Sequence, residues 1–86
     1  MKTNMRQTSL DAYQKLEKLA EKRRKVFDAI DFLGEACNLD VAYHLQWSIN
    51  RVTPRTNELV KMGLVKESKR AITPRTDRKV IYWKTT

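Results

Sequence analysis

Polar residues without a period fill positions 1–7, and the first pattern begins at Thr8-Ser9-Leu10-Asp11. There Thr8 suits a helix cap and Asp11 the first turn. Leu10, Tyr13 and Leu16 follow at helical spacing; Leu19, Val26, Ile30 and Leu33 continue an apolar face that Phe27 supports. Gly34 ends the face, because glycine most easily takes the left-handed conformation past a helix C-terminus. Residues 9–33 are long for one helix in so short a chain, so a break is expected near Lys18. A short helix comes next, with Asn38 as its N-cap and Val41, Ala42 and Leu45 on its buried side. The turn Gln46-Trp47 then falls where φ is usually positive, and Gln costs about 1 kcal/mol there relative to Gly.

The third helical pattern has the sharpest division. Ile49, Val52, Thr56, Leu59 and Gly63 lie within roughly 80° on a helical wheel and form the expected inward face. Asn50, Arg51, Pro54, Arg55, Glu58 and Lys61 fall opposite. Pro54 lacks the N–H of a helical ladder, so regular helix should begin shortly before it, with Asn50 or Thr53 as the cap. Met62-Gly63 closes the helix. Val65–Arg70 and Lys79–Lys84 read as strands, the second rich in β-branched and aromatic residues, joined by a basic connection over Ala71–Arg78 with Pro74 and Asp77 as turn residues. Three helices, a strand, a loop and a strand make the order of a winged helix-turn-helix. The predicted class is mainly α with a small β-hairpin: a three-helix core plus a wing, with an N-terminal helical extension. The expected division is a flexible stretch at 1–7 and one domain at 8–86, comprising a helical N-terminal part (8–33), the helix-turn-helix (38–63) and the wing (64–84).

Charge gives this architecture a direction. Residues 50–86 hold ten Lys/Arg against three acids, so +7 of the chain's +8 lies there, whereas residues 26–49 carry four acids and no Lys or Arg. A merely solubilised surface would not segregate charge in this way; a face that neutralises the phosphates of duplex DNA would. The remaining composition excludes other classes. Eighty-six residues, 41% of them hydrophobic, suffice for one small domain with one core. No run approaches the ~18 apolar residues of a membrane span, and Met1–Leu10 lacks the apolar core of a signal peptide. No long amphipathic helix with a basic polar face appears, which makes a membrane the weaker partner. A single cysteine, Cys37, excludes an intrachain disulfide and suggests a reducing, cytoplasmic setting. One His and one Cys do not make a metal site, and neither a phosphate-binding glycine loop nor a nucleophile–base pair stands out. No enzyme activity, cofactor or metal is expected.

Particular residues carry the DNA reading. Arg pairs bidentately with guanine and Asn with adenine, each worth ~1–3 kcal/mol of discrimination, so Asn50, Arg51 and Arg55 are candidate groove readers, with Thr53 and Lys61 beside them. Thr56 reads as inward-packing. On the wing, Lys69, Arg70, Arg75, Arg78 and Lys79 are placed for phosphates or a minor groove. Glu58 disfavours phosphate, so it reads a cytosine amino group or orients one of the two arginines. Lys22-Arg23-Arg24-Lys25 is a solvated helix face or a phosphate clamp. Trp47, Tyr82 and Trp83 are expected as core or wing anchors, Cys37 as a small buried residue, and His44 on the exposed side of its helix. The near-repeat VTPRTN (52–57) and ITPRTD (72–77) is too short to mark a structural repeat; if it has a meaning, both copies set an Arg against phosphate.

From Ser9 onward the sequence resembles a family of small winged helix-turn-helix proteins of phages and bacterial genomes. The likeness rests on SLDAY, on RRKVFDAIDFLGEACN, on the run W-x-I-N-R-V-T-P-R-x-N-E-L-x-K-x-G-L-V from Trp47 to Val65, and on RKVIYW from Arg78 to Trp83. Leu45–Val65 also follows, more distantly, the recognition-helix pattern of the multiple-antibiotic-resistance and arsenic-type repressors. Gln46 in place of the usual turn Gly, Ser48 where Pro is common and Asp77 where the wing turn often has Gly depart from it. The resemblance implies binding of double-stranded DNA and transcriptional regulation in a bacterial cytosol, with the third helix in the major groove and the wing on the backbone. Two rivals stand beside it: a phage-encoded module that binds a host protein or nucleoprotein complex, and an accessory protein that holds DNA without sequence preference. Leu10, Tyr13 and Leu16 form a surplus apolar stripe that serves either a homodimer or a fold-back onto the core.

Overall fold

The computed structural model describes residues 19–86. The Thr8 cap, the Leu10/Tyr13/Leu16 stripe and the expected break at Lys18 lie outside the described residues. Three helices and one antiparallel hairpin follow in order: α1 (Glu21–Leu33), α2 (Asn38–Leu45), α3 (Ile49–Lys61), β1 (Val65–Thr73) and β2 (Arg78–Thr85).

In α1 the positions Val26, Ala29 and Ile30 are buried at i, i+3 and i+4, and Glu21 stands in the first turn, where a carboxylate suits the helix dipole. Leu33, expected on the inward face, is 38% exposed instead, because the last turn of α1 runs past the core. Gly34 stops the helix at φ 82°, donating its N–H to the Ile30 carbonyl at 2.9 Å. The chain then runs extended through Ala36, which pairs with Trp83: each N–H donates to the other's carbonyl, at 3.0 and 2.8 Å. This bridge was not legible in the short ACN segment, and it corrects the next expected cap. Because Ala36 is tied down, extended Cys37 and not Asn38 caps α2. The Asp40 carboxylate accepts the Cys37 N–H at 3.3 Å, and the Cys37 sulfur accepts from the first turn in return. Cys37 is 1% exposed.

Gln46 ends α2 in the left-handed region at φ 59° and ψ 41°, the conformation expected of this turn despite the missing glycine. The N-cap of α3 is Ser48, in place of the expected Asn50 or Thr53, so Pro54 is the sixth helical residue. The helix tolerates it because the ring faces solvent, and the Asn50 carbonyl that loses its donor stands on that same wet side. Val52, Thr56 and Leu59 form the inward face, and the buried Thr56 hydroxyl donates to the Val52 carbonyl at 3.3 Å. Ile49 and Gly63 do not share that face: Ile49 is 36% exposed at the helix edge, and Gly63 lies exposed past the helix end.

The hairpin is longer than expected. Thr73 pairs with Arg78, so the connection shrinks from Ala71–Arg78 to the four residues 74–77, with Asp77 left-handed at φ 56°. Asp77 donates its N–H to the Thr73 carbonyl at 2.9 Å, and Thr73 is fully buried. A bulge at Ser68 shifts the register between Glu67↔Trp83 and Lys69↔Tyr82. Val26, Ile30, Val41, Val52, Leu59 and Val65 form the core, with Trp47 and Trp83 packed partly buried against it. The anchors expected at the two tryptophans are in place. No helix among the described residues is long and apolar enough to cross a membrane.

Candidate nucleic-acid interface

With Val52, Thr56 and Leu59 turned inward, the wheel of α3 sets Asn50, Pro54 and Lys61 opposite them, and Asn57 between these and Thr53, at the mouth of a cleft toward β2; all four are exposed. Asn57 was missed in the sequence reading, although its position seven residues after Asn50 and three after Pro54 was the available signal. The two arginines of α3 lie on one flank. Arg51 is exposed and its guanidinium sits 4.4 Å from the Trp47 ring centroid, a cation–π contact. Arg55 is half-buried and donates to the Glu58 carboxylate at 3.1 Å. The same Glu58 oxygen accepts from Arg23 of α1 at 2.8 Å, so one carboxylate holds a guanidinium of its own helix and ties α3 to α1 through a second. Glu58 therefore holds Arg55, one of the two roles its position allowed. The hydrogen bond from Arg23 holds the Glu58 carboxyl below its ordinary pKa against the opposing effect of burial, with Arg55 adding to the depression. Thr53 lies on the other flank. Its hydroxyl donates to the Ile49 carbonyl at 3.2 Å and receives the Asn38 amide at 3.5 Å, beside a cleft of about 480 Å³ between α3, the start of α2 and β2.

Much of the basic run on α1 is also spoken for. Besides Arg23, Arg24 pairs with Asp28 at 3.2 Å and Lys25 with Glu21 at 3.7 Å. These exposed i,i+4 pairs are worth only a few tenths of a kcal/mol each.

The wing residues divide in the same way. Lys69 reaches Glu35 at 3.6 Å beside the hydrogen bond that Ser68 donates to that carboxylate, and its ammonium lies 5.3 Å from the Tyr82 ring centroid. Arg70 pairs with Glu67 of its own strand at 3.3 Å. Arg75, in the wing turn, folds back onto α2: it donates to Asp40 at 2.8 Å and its guanidinium lies 4.0 Å from the Tyr43 ring centroid. Arg78 and Lys79 are exposed and meet no carboxylate among the described residues; the same holds for Lys61 of α3. The structure thus gathers two kinds of cation: those matched by an acid of this chain, and those open to an outside anion.

The Arg75–Asp40 link ties the wing turn to the cap of α2 and makes it sensitive to acid. Burial raises the Asp40 pKa, but hydrogen bonds from Arg75 and from the Cys37 N–H outweigh it and hold the carboxyl below its usual 3.8. A group depressed on folding contributes its stability fully above the unfolded-state value and loses it as pH falls through the depressed folded value. The Tyr43 ring signals in an NMR titration should therefore shift in acid with a midpoint below 3.8. Asp40→Asn should abolish that shift. An Asp40 midpoint at or above 3.8 would show that Arg75 does not hold the carboxylate in solution.

The sequence matches no protein-family model and no curated protein. Solved structures match it in fold. The reduced form of MarR from E. coli, a multiple antibiotic resistance repressor, superposes with a TM-score of 0.62 at 17% identity over 100% of this chain and 65% of that one. The adhesin competence repressor AdcR from Streptococcus pyogenes gives 0.63 at 24% identity over 98% and 58%. Disulfide-formed AbfR gives 0.64 at 20% identity over 98% and 57%. The chain thus spans less than two thirds of the length of these proteins. At such identities the likeness is one of architecture: the chain is a winged helix-turn-helix, three helices and a two-stranded wing, built as in the MarR-type repressors.

Proposed function

We propose that this chain is a sequence-specific, double-stranded DNA-binding transcriptional regulator of phage or bacterial origin, working in the cytoplasm without catalytic activity. Helix α3 enters the major groove and the wing lies on the adjacent backbone. The observation that carries this reading is the exposed surface of α3, where Asn50, Asn57 and Lys61 stand with Arg51 on the flank, on the same half of the chain as the wing cations Arg78 and Lys79, which meet no carboxylate among the described residues. The interface comprises Asn50, Arg51, Thr53 and Lys61 of α3 with Arg78 and Lys79 of the wing. Arg55, Lys69, Arg70 and Arg75 reach it with their charge already shared with Glu58, Glu35, Glu67 and Asp40. Its likeness in fold to proteins described as repressors supports the same reading. Selection from a random duplex library at two salt concentrations tests it. An enriched motif is the expected result. Steeply salt-dependent binding without a motif would make the protein an accessory DNA binder, and no binding would overturn the reading.

A second reading has its own observation. Phe32 is 77% exposed and stacks on His44 at 5.4 Å, and Tyr43 is 64% exposed nearby on α2. Exposed aromatic rings grouped on α1 and α2 suit a protein surface, either a host protein complex or a second copy in a homodimer. Light scattering of the full chain with and without duplex separates a dimer from a monomer.

A further inference from the structure

The arrangement of α3 carries the DNA-binding reading one step further, to the bases it would select. A recognition helix meets the groove floor with the residues opposite its buried stripe. Here that line is Asn50, Pro54 and Lys61, with Asn57 beside it on the side of the cleft to β2, set against Val52, Thr56 and Leu59, each of which is fully buried. The arginines, which would favour guanine, do not stand on it. Arg51 leans over Trp47 on the flank, and Arg55 is held by Glu58, itself clamped by Arg23 at 2.8 Å. Two amides are left to face the groove, and no described residue engages either side chain. Asn pairs bidentately with the N6 and N7 of adenine. Seven residues separate the two amides, about 10.5 Å along the helix axis, or roughly three base pairs. Pro54 lies between them with neither donor nor acceptor, a surface suited to a thymine methyl group.

We infer that the protein reads adenine at two positions about three base pairs apart, through Asn50 and Asn57, and that Arg55, held by Glu58 on its own helix, reads no base. This rests on the proposed function above. The test is selection from a random duplex library with the full chain and with Asn50→Ala, Asn57→Ala and Arg55→Ala, each first shown by thermal melting to be folded. The parent chain should enrich two adenines at that separation. Each Asn variant should lose about tenfold of its preference at one of the two positions and retain the other. Arg55→Ala should keep the base preferences of the parent. A motif with guanine at the corresponding positions, or preferences that survive both Asn substitutions, would overturn this inference while leaving sequence-specific binding intact. Binding without a motif would also overturn it while leaving DNA binding in place, and no duplex binding at all would overturn both.

Discussion

Replacing Leu59 by alanine is expected to destabilise the fold by about 3 kcal/mol, within the range of roughly 2–5 kcal/mol for emptying a buried leucine site. Leu59 is fully buried in the core with Val26, Ile30, Val41 and Val52, where α1, α2 and α3 converge, and the Leu64 N–H donates to its carbonyl at 3.0 Å as the chain leaves for the wing. The cavity cannot readily collapse, because three helices and the root of the hairpin border it. In a domain of this size that loss corresponds to a fall of roughly 12–24 °C in melting temperature. Thermal melting followed by circular dichroism measures it. Lys61→Ala, two residues along the same helix but on its exposed face, should stay within about ±0.5 kcal/mol. Equal effects for the two variants would show that α3 does not dock through the Val52/Thr56/Leu59 stripe.

The second large effect concerns binding. If the wing lies on the phosphate backbone, replacing both Arg78 and Lys79 by alanine should reduce duplex affinity about thirtyfold at 0.15 M salt, equivalent to about 2 kcal/mol. The magnitude follows from counterion release. Each phosphate contact contributes about 0.9 to the slope of log affinity against log salt, a factor of roughly five at that concentration. The slope itself should flatten by nearly two. Arg78 and Lys79 are the residues to choose because both are exposed and unmatched by any described carboxylate, whereas Arg75, a few residues earlier, already serves Asp40. Fluorescence anisotropy over a salt series gives affinity and slope together. Changed base preference with an unchanged slope would make the wing a reader of bases.

Local pattern alone was enough for a large part of this protein. A helical period placed Val26 and Ile30, Val41 and Ala42, and Val52, Thr56 and Leu59 inside, since burial follows the wheel whenever an element has one dry side. Gly34, Gln46 and Gly63 marked the ends of three helices, and the segregation of charge into residues 50–86 pointed to the surface that carries the candidate interface. The exposed position of Asn57 is equally present in the wheel, seven residues after Asn50.

Tertiary contacts decided the rest, and the near-repeat shows why. VTPRTN is helix in α3, and ITPRTD is strand end and turn in the wing. Six nearly identical residues have nearly identical propensities, so what differs is the surroundings: the first copy buries Val52 and Thr56 beneath α1 and α2, while the second buries Thr73 alone and leaves Ile72 65% exposed. Each copy was a candidate for setting an arginine against phosphate. In the fold each sets it against a carboxylate of this chain, Arg55 on Glu58 and Arg75 on Asp40. The cap at Cys37, the bridge from Ala36 to Trp83 and the clamp from Arg23 to Glu58 have the same origin. Their partners lie far apart in sequence or depend on such a distant pairing, and no local pattern says which acid a long, flexible arginine will reach once the chain has closed around its core.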